Sequence, residues 1–363
     1  MISINEPMKR RANEALAKAW AGERLTLDDG EALLASDDLL ALGAAAREVA
    51  RRHHPDERIT FVIDRNINYT NVCTTGCLFC AFYRRPGDAQ GYVLPEDVIM
   101  QKIKETVAVG GTQILMQGGI HPELDLTYFE QLLRAIKARF TIHIHSFSPP
   151  EIAELADREG LPVEEVLARL HAAGLDSLPG GGAEILVDRV RQAISPQKIS
   201  WRRWMDVMQA AHRLGLKTTA TMMFGSMETL RERVLHMVRV REAQEETKGF
   251  TAFIPWSFQP KNTSLEGNAS SGVEYLKTLA VSRLMLDNVP NIQASWVTQG
   301  AKMAQVALAF GANDFGGTML EENVVRAAGV TNRVPMEEIL RAIRDAGKVP
   351  TQRDTLYRIL REF

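Results

Sequence analysis

The chain has few of the features that mark specialised classes of protein. Only three of its 363 residues are cysteine, 7% are aromatic, and its 43 basic and 45 acidic side chains leave a formal net charge of −2. No uninterrupted apolar run reaches the roughly 18 residues of a membrane span, and no charge excess would attract a nucleic acid or a membrane surface. We therefore expect a globular cytoplasmic protein with neither of these partners.

Strand-like and helix-like stretches alternate from Ile59 onward. Helix candidates show apolar residues at helical spacing, as over 98–107 and 126–136. The strand candidates are 59–69, 112–117, 141–147, 175–178, 217–224, 250–258, 291–297 and 313–316. This alternation predicts an α/β fold, a (β/α)8 TIM-type barrel, over residues 59–330.

Helical patterns flank the predicted barrel on both sides. Residues 1–58 predict an N-terminal helical extension, with helices over 13–20, 28–35 and 37–53 and a capping-box pattern at 26–29. We interpret this extension as a plug over one end of the barrel, with a lid over the substrate as the alternative. Residues 331–363 predict a C-terminal helical tail packed on the barrel.

All three cysteines lie in one short stretch, Cys73-x3-Cys77-x2-Cys80, directly after the first predicted strand. Their odd number argues against a disulfide framework. A structural zinc site completed by His53 or His54 remains an alternative, although zinc sites favour paired Cys-x2-Cys knuckles. Three thiolates on one loop suit an iron–sulfur cluster better. A cluster of four irons normally has four cysteine ligands, so three cysteines would leave one iron open to bind a reactant.

The cysteine pattern, with Phe79 just before the last cysteine, resembles the signature of the radical S-adenosylmethionine (SAM) superfamily. The resemblance implies that Cys73, Cys77 and Cys80 bind a [4Fe–4S] cluster. It also implies that the amino and carboxylate groups of SAM chelate the fourth iron, and that Phe79 packs near the adenine.

The same resemblance implies further contacts to SAM at the ends of later strands. The backbone at Gly118 and Gly119 corresponds to the segment that meets the SAM amino group, although an isoleucine here replaces the glutamate of the family pattern. Glu184 corresponds to the carboxylate that holds the ribose hydroxyls, and Met223 to the segment that borders the adenine. Ser146, at the end of the third strand, is assigned to the cofactor as well.

Polar and aromatic side chains at the remaining strand ends predict a substrate wall, since catalysis belongs at the C-terminal ends of barrel strands. A mixture of aromatic surface and hydrogen-bonding groups suits a nucleoside-like substrate. The candidates are His145, Trp256, Thr298, Gln299, Asn313 and Asp314. No catalytic residue is identified outright; His145 and Asp314 are the candidates for accepting a proton, whereas His143 is interpreted as a hydrogen-bonded core histidine.

Four longer segments narrow the resemblance to one subgroup of the superfamily. Residues 68–71, 144–149, 179–184 and 311–318 resemble the two radical SAM enzymes of the futalosine route to menaquinone and the subunit that builds the deazaflavin chromophore. Residues 61–68 and 219–225 look most like the cyclases of that route, which act on dehypoxanthine futalosine.

The subgroup implies a 5′-deoxyadenosyl radical that takes hydrogen from C4′ of the substrate ribose. The carbon radical then attacks the aromatic ring of the substrate, and loss of an electron and a proton yields the cyclic product. A flavodoxin or ferredoxin is the implied electron donor. The alternatives are aminofutalosine synthase, the deazaflavin-chromophore subunit and, in a different class, a non-catalytic iron–sulfur or zinc protein.

Overall fold

The computed structural model describes residues 6–363. It opens with three helices, α1 (Glu6–Ala21), α2 (Leu27–Ala35) and α3 (Leu39–His53). The capping box at the start of α2 is present as predicted: the Asp29 N–H donates to Thr26 Oγ1 (3.2 Å), and the Thr26 N–H donates to Asp29 Oδ2 (3.0 Å). These reciprocal bonds satisfy backbone donors that the helix itself leaves free.

Strands and helices then alternate along the chain. In chain order they are β1 (Arg58–Val62), β2 (Asp64–Ile67), α4 (Glu96–Ala108), β3 (Gln113–Met116), α5 (Leu126–Arg139), β4 (His143–Ser146), α6 (Pro149–Glu159), α7 (Val163–Ala173), β5 (Ser177–Leu178), α8 (Asp188–Ile194), α9 (Trp201–Arg213), β6 (Lys217–Phe224), α10 (Leu230–Thr247), β7 (Phe250–Ser257), α11 (Gly272–Met285), β8 (Asn291–Ile292), α12 (Trp296–Gln299), α13 (Ala301–Ala307), a 3-10 turn (Leu308–Phe310), β9 (Asp314–Gly317), α14 (Val324–Ala327), α15 (Met336–Asp345), β10 (Val349–Arg353) and β11 (Ile359–Glu362). The predicted seventh strand is therefore strand only at its first two residues, and its end is helix α12.

The strands close into one parallel barrel. A seven-stranded sheet runs in the order β2-β3-β4-β5-β6-β7-β8, and β1 pairs with β9 in a second sheet. Strands β1 and β2 are two halves of the first predicted strand, interrupted at Ile63. A parallel bridge between Gln293 and Asp314 joins β8 to β9 and completes the circle. The predicted (β/α)8 barrel is confirmed.

Alternation along the strands separates an apolar outer face from an interior that also carries polar side chains. In β3, Ile114 and Met116 are fully buried in a core shared with α4 and α5. Their neighbours Gln113 and Leu115 point into the barrel, as period-two geometry requires. The interior is thus available for a ligand. No helix among residues 6–363 combines the length and apolarity needed to cross a bilayer.

The N-terminal helices pack on the outside of the barrel, against α10 and α11. The contact is close at Gly30, where an added Cβ would lie 2.6 Å from Val234 Cγ1 and 2.8 Å from Met285 Sδ. This packing against outer helices corrects the interpretation of the extension as a plug or a lid.

The C-terminal segment instead closes the N-terminal end of the barrel. Helix α15 confirms the first part of the predicted tail, but the chain then forms β10, which pairs in parallel with β1, and β11, which turns back along β10. The prediction of a helical tail is therefore corrected beyond Asp345. The segment brings Arg353, Thr355 and Tyr357 to the barrel interior, where they form its floor.

Candidate active site

The cysteine loop lies at the C-terminal end of β2 and is anchored on several sides. The Cys73 N–H donates to the Arg84 carbonyl (2.8 Å), and the Thr74 N–H donates to the Ile120 carbonyl (3.0 Å). On the far side, the Leu78 N–H donates to the carbonyl of Ile194, at the end of α8 (2.9 Å). Backbone bonds to three separate segments of the chain hold the loop in one conformation.

The three thiols sit in a partly enclosed environment. Cys77 is buried, whereas Cys73 and Cys80 are half-buried. The Thr75 hydroxyl lies between two of them, 3.0 Å from Cys73 Sγ and 3.6 Å from Cys77 Sγ. Burial raises the pKa of both the Cys77 and the Cys80 thiol. Such thiols stay protonated until an electropositive centre displaces the proton.

The donor set fits an iron–sulfur cluster better than a single ion. Among residues 6–363, no group of three His, Cys, Asp or Glu side chains converges closely enough to hold one metal ion. A cluster does not need this convergence, because each thiolate binds a separate iron. The proposed zinc ligand His54 lies at the opposite end of the barrel, where its Nε2 lies 2.8 Å from the Pro290 carbonyl.

The glycine pair after β3 packs directly on the cysteine loop. An added Cβ at Gly119 would lie 2.2 Å from the Val72 carbonyl oxygen and 2.8 Å from Cys73 Cβ. At Gly118 it would lie 2.6 Å from the Tyr69 ring. Only glycine permits this approach, so the predicted cofactor segment is held against the loop.

A buried carboxyl group supports this glycine pair from behind. Glu151 Oε1 accepts hydrogen bonds from the Tyr69 hydroxyl (2.5 Å) and the Gly118 N–H (3.3 Å), and Oε2 accepts one from the Ser148 hydroxyl (2.5 Å). Burial raises the pKa of Glu151 to about 7, against the lowering effect of these donors. Glu151 therefore connects α6 to the segments that follow β2 and β3.

Glu184 is held by two cations between the cysteine loop and the barrel. Its Oε1 accepts a hydrogen bond from Lys198 Nζ (3.1 Å), and Oε2 lies 3.5 Å from Arg191 Nη1. Lys198 Nζ also lies 5.2 Å from the centre of the Phe79 ring. Although burial opposes its charged form, the Cys77 and Glu184 side chains raise the pKa of Lys198 above its ordinary value. Lys198 thus links the predicted cluster loop to the predicted ribose carboxylate.

The barrel interior contains a cavity of about 280 Å3 that opens toward this end. Inward-facing residues of the first, second, fifth and sixth barrel strands alternate along its wall. They are Val62, Asp64, Asn66, Gln113, Leu115, Gln117, Thr219, Thr221, Ile254 and Trp256. Glu322, in the loop after β9, and Val324 and Val325, at the start of α14, line it as well.

Four of the predicted site residues meet at this cavity: His145, Glu184, Trp256 and Thr298. Gln299 lies beside it, where its Nε2 donates to the Ser257 hydroxyl (2.6 Å) and to Thr298 Oγ1 (3.3 Å). His145 Nδ1 lies 2.6 Å from the Ser177 hydroxyl. Burial lowers the pKa of His145 to about 3, so the ring is neutral near pH 7. His143 bonds the same hydroxyl (2.7 Å), as expected for a core histidine.

Of the six predicted cofactor residues only Glu184 lines the cavity, and Ser146 and Met223 lie farthest from a role at its wall. Ser146 is fully buried and donates its hydroxyl to the Met116 carbonyl (2.6 Å). Met223 lies in the hydrophobic core between strands and helices, although its N–H donates to the Glu184 carbonyl (3.0 Å). Ser146 therefore packs between strands, and Met223 contacts the site only through its backbone bond to Glu184.

Asn313 and Asp314 lie at the opposite, N-terminal end of the barrel, which corrects their placement in the substrate wall. Asn313 Oδ1 accepts a hydrogen bond from Arg283 Nη2 (2.6 Å) and faces a separate cavity of about 490 Å3. Asp314 is fully buried and accepts two hydrogen bonds from Arg353 and one from the Thr60 hydroxyl. These two side chains begin β9 rather than end it.

Several cavity residues were missed from sequence. Asp64, Gln113 and Gln117 were within predicted strands, and the polar side chains at period two along them were the available signal. Arg353, Thr355 and Tyr357 carried no such signal, because their segment was predicted as helix. Lys198 and Arg191 were not singled out either, since their contact with Glu184 depends on how α8 and the loop after it fold back.

Comparisons with known proteins agree with this geometry. The model of the radical SAM superfamily matches residues 67–239, and the model described as the CofH/MqnC C-terminal region matches residues 247–362. A parallel barrel with a three-cysteine loop after its first strand is the arrangement of the radical SAM barrel enzymes. The chain belongs to this superfamily and, within it, to the CofH/MqnC family. The superfamily uses a [4Fe–4S] cluster and SAM, and the cysteine triad fits both.

Relatives with two different names resemble the chain over nearly its whole length. The cyclic dehypoxanthine futalosine synthase of Halalkalibacterium halodurans is 52% identical, over 96% of this chain and 95% of its own. The enzyme of the same name from Streptomyces coelicolor is 46% identical, over 94% and 87%. The 5-amino-6-(D-ribitylamino)uracil–L-tyrosine 4-hydroxyphenyl transferase of Methanothermobacter thermautotrophicus is 44% identical, over 97% and 98%.

Solved structures share the fold at low sequence identity. The FeFe-hydrogenase maturase HydG of Carboxydothermus hydrogenoformans superposes with a TM-score of 0.78 at 19% identity, covering 98% of this chain and 82% of that one. Methylornithine synthase gives a TM-score of 0.73 at 20% identity, covering 93% and 97%. These similarities support the barrel architecture.

Proposed function

We propose that the protein cyclises dehypoxanthine futalosine to its cyclic product in menaquinone biosynthesis, starting with hydrogen abstraction from C4′ of the ribose. The observation that carries the proposal is the connection, through Lys198 and Glu184, between the cysteine loop and a barrel cavity lined by both apolar and polar side chains. The 52% identity with a cyclic dehypoxanthine futalosine synthase, over 96% of the chain, supports the choice of reaction.

Residues of this chain would hold both cofactors at the C-terminal end of the barrel. Cys73, Cys77 and Cys80 would bind the [4Fe–4S] cluster, and the Gly118–Gly119 backbone and Glu184 would bind SAM. When bound, this pair supplies a 5′-deoxyadenosyl radical. The fixed loop and the buried ion cluster around Glu184 orient the cofactors before the substrate arrives, which lowers the cost of reaching a reactive geometry.

The cavity supplies groups that suit a nucleoside-like substrate. Trp256 offers an aromatic face, and the Thr298 hydroxyl and the Gln117 amide offer hydrogen bonds. His145 presents a neutral ring to the same space. Val324 and Val325, at the start of α14, line the same cavity. A cavity walled by the barrel strands and α14 would help to protect a carbon radical from side reactions.

The reaction begins with one electron from outside the protein, so the proposal includes an electron donor of the flavodoxin or ferredoxin type. It also includes a reducing compartment, the cytoplasm, because free cysteines and an oxygen-sensitive cluster persist there. These two elements follow from the proposed chemistry.

The experiment is anaerobic incubation of the reconstituted protein with SAM, dithionite and dehypoxanthine futalosine, followed by mass spectrometry. We expect a product lighter by two hydrogens together with free 5′-deoxyadenosine. Substrates of the two sister reactions are tested in parallel: the enol ether of aminofutalosine synthesis, and tyrosine with 5-amino-6-(D-ribitylamino)uracil. Turnover of either, with dehypoxanthine futalosine unchanged, would contradict the proposal. A Cys80→Ala variant that still cleaved SAM would contradict the assignment of the cluster.

A further inference from the structure

We propose that the Asp64 carboxylate accepts the proton released when the substrate's aromatic ring is restored; this inference rests on the function proposed above. Ring attack leaves a radical adduct that must lose one proton and one electron. The C–H bond at the attacked carbon breaks, its electron pair returns to the ring, and the proton goes to an Asp64 oxygen. The remaining unpaired electron passes to a one-electron acceptor of the iron–sulfur class.

Asp64 is built into the cavity wall with both oxygens oriented. Its Oδ1 accepts a hydrogen bond from the Met319 N–H (2.9 Å), and Oδ2 accepts one from Gln113 Nε2 (3.1 Å). The Gln113 amide is itself fixed, because its Oε1 accepts a hydrogen bond from the Thr355 hydroxyl (2.6 Å). The carboxylate is thus held in one orientation by β3, the loop after β9 and the C-terminal segment.

The backbone opposite Asp64 leaves room for the carboxylate. A Cβ added at Gly317 would lie 2.3 Å from Asp64 Oδ1 and 2.4 Å from Oδ2. Any larger residue at this position would displace the carboxylate from its position at the cavity. Glycine at the end of β9 is therefore required by the position of Asp64.

The other two carboxylates that line the cavity are already engaged. Glu184 is paired with Arg191 and Lys198. Glu322 accepts the N–H groups of Val324, Val325 and Arg326 at the start of α14. Asp64 forms no salt bridge with any residue in the described part of the chain, 6–363.

The surroundings of Asp64 give it the basicity that the step needs. Burial raises the pKa of Asp64 to about 6, while its hydrogen bonds oppose this shift. The cation Arg353 is neutralised by Asp314. A carboxylate with this pKa is ionised at neutral pH and still close to the operating pH, which favours general-base catalysis. His145, whose pKa burial lowers to about 3, is a much weaker base.

The test compares wild-type and Asp64→Asn holoenzymes for cyclic product and 5′-deoxyadenosine, with substrate deuterated at ribose C4′. Asparagine keeps an acceptor for Met319 but cannot take the proton. We expect deuterated 5′-deoxyadenosine to persist, while the ratio of product to deoxyadenosine falls by about 100-fold, the lower end of what a general base contributes. Asp64→Glu should recover part of the ratio. Asp176→Asn, a carboxylate bonded to Lys137 outside the cavity, should leave the ratio unchanged.

A wild-type product ratio in Asp64→Asn would overturn the assignment. An equal loss of deuterated deoxyadenosine and of product in a folded variant would also overturn it, since that pattern indicates that Asp64 acts in substrate binding. If Asp64→Asn does not fold, Thr355→Val supplies the test, because it releases Gln113 and should lower the same ratio; an unchanged ratio there counts against the proposal. A wild-type protein that makes no cyclic product would instead overturn the function on which the step rests.

Discussion

At the scale of single residues, the site depends on buried charges that neutralise one another. Arg191, Glu184 and Lys198 are almost fully enclosed, and two cations share one carboxylate. Four further donor contacts from Arg191 go to the carbonyls of Ile199, Gly182 and Ala183. Burying charges costs solvation free energy, which opposite charges and hydrogen bonds must offset. The cluster is therefore sensitive to loss of its only carboxylate.

Replacing Glu184 by Gln should lower the free energy of unfolding of the cofactor-free protein by about 3 kcal/mol, because it leaves two buried cations without a counter-charge. Urea titration followed by circular dichroism measures this. Glu245→Gln is the control: its pair with Arg24 is exposed, so the change should stay below about 1 kcal/mol. Equal, small losses in both variants would mean that water reaches Arg191 and Lys198.

At the scale of elements, the C-terminal strands hold the barrel together across its first and last strands. Strand β10 pairs with β1 from Arg58↔Val349 to Phe61↔Gln352, and β1 pairs with β9 on its other side. Arg353, at the end of β10, donates two hydrogen bonds to Asp314 at the start of β9. One buried ion pair therefore connects the final segment to the closing strand.

Replacing Arg353 by Met should destabilise the protein by about 3–5 kcal/mol, because Asp314 would remain buried without its cation. A double variant, Arg353→Met with Asp314→Leu, should recover part of this loss, since neither charge then remains. Arg358→Met serves as the matched control, because Arg358 pairs with Asp354 at the surface. Urea unfolding of the four proteins measures the effect; a double variant no better than the single one would argue against the ion pair as its source.

At the scale of the whole molecule, buried and half-buried histidines dominate the acid response. Burial lowers the pKa of four of them to about 3 or 4: His53, His145, His212 and His236. Burial acts in the opposite direction on carboxyl groups, raising the pKa of Asp64 to about 6 and that of Glu151 to about 7. The histidines bind protons mainly in the unfolded chain, and the carboxyl groups bind them mainly in the folded protein.

The effect of the histidines on stability should exceed that of the two carboxyl groups. The free energy of unfolding should therefore fall on acidification below pH 6.5. Near pH 5 these six groups leave the unfolded chain with about two more bound protons than the folded protein, which corresponds to about 3 kcal/mol per pH unit. Because the unfolded state binds more protons, the free energy of unfolding rises with pH in this range. Urea unfolding at several pH values between 4.5 and 6 measures the slope. A flat profile would show that the histidines are hydrated.

Local spacing accounts for the parts of the site that were predicted correctly. Cys73, Cys77 and Cys80 lie near one another because they share one short loop, and strand β6 was predicted with its observed bounds. Glu184, His145, Trp256 and Thr298 follow or end strands, so the rule that barrel sites form at C-terminal strand ends placed them at the cavity. Such predictions need only the neighbours of each residue along the chain.

The sequence by itself thus determined the cluster loop, the alternation of strands and helices, and the face on which the site lies. Only the tertiary structure decided the floor and the polar wall of the cavity. Asp314 was placed at the wrong end because its partner Arg353 comes from a distant segment, and Asp64 is held at the cavity wall by Gln113, Met319 and the close approach of the glycine at the end of β9. Burial, which sets the pKa of Asp64, results from strands packed together across the whole chain and has no local pattern in the sequence.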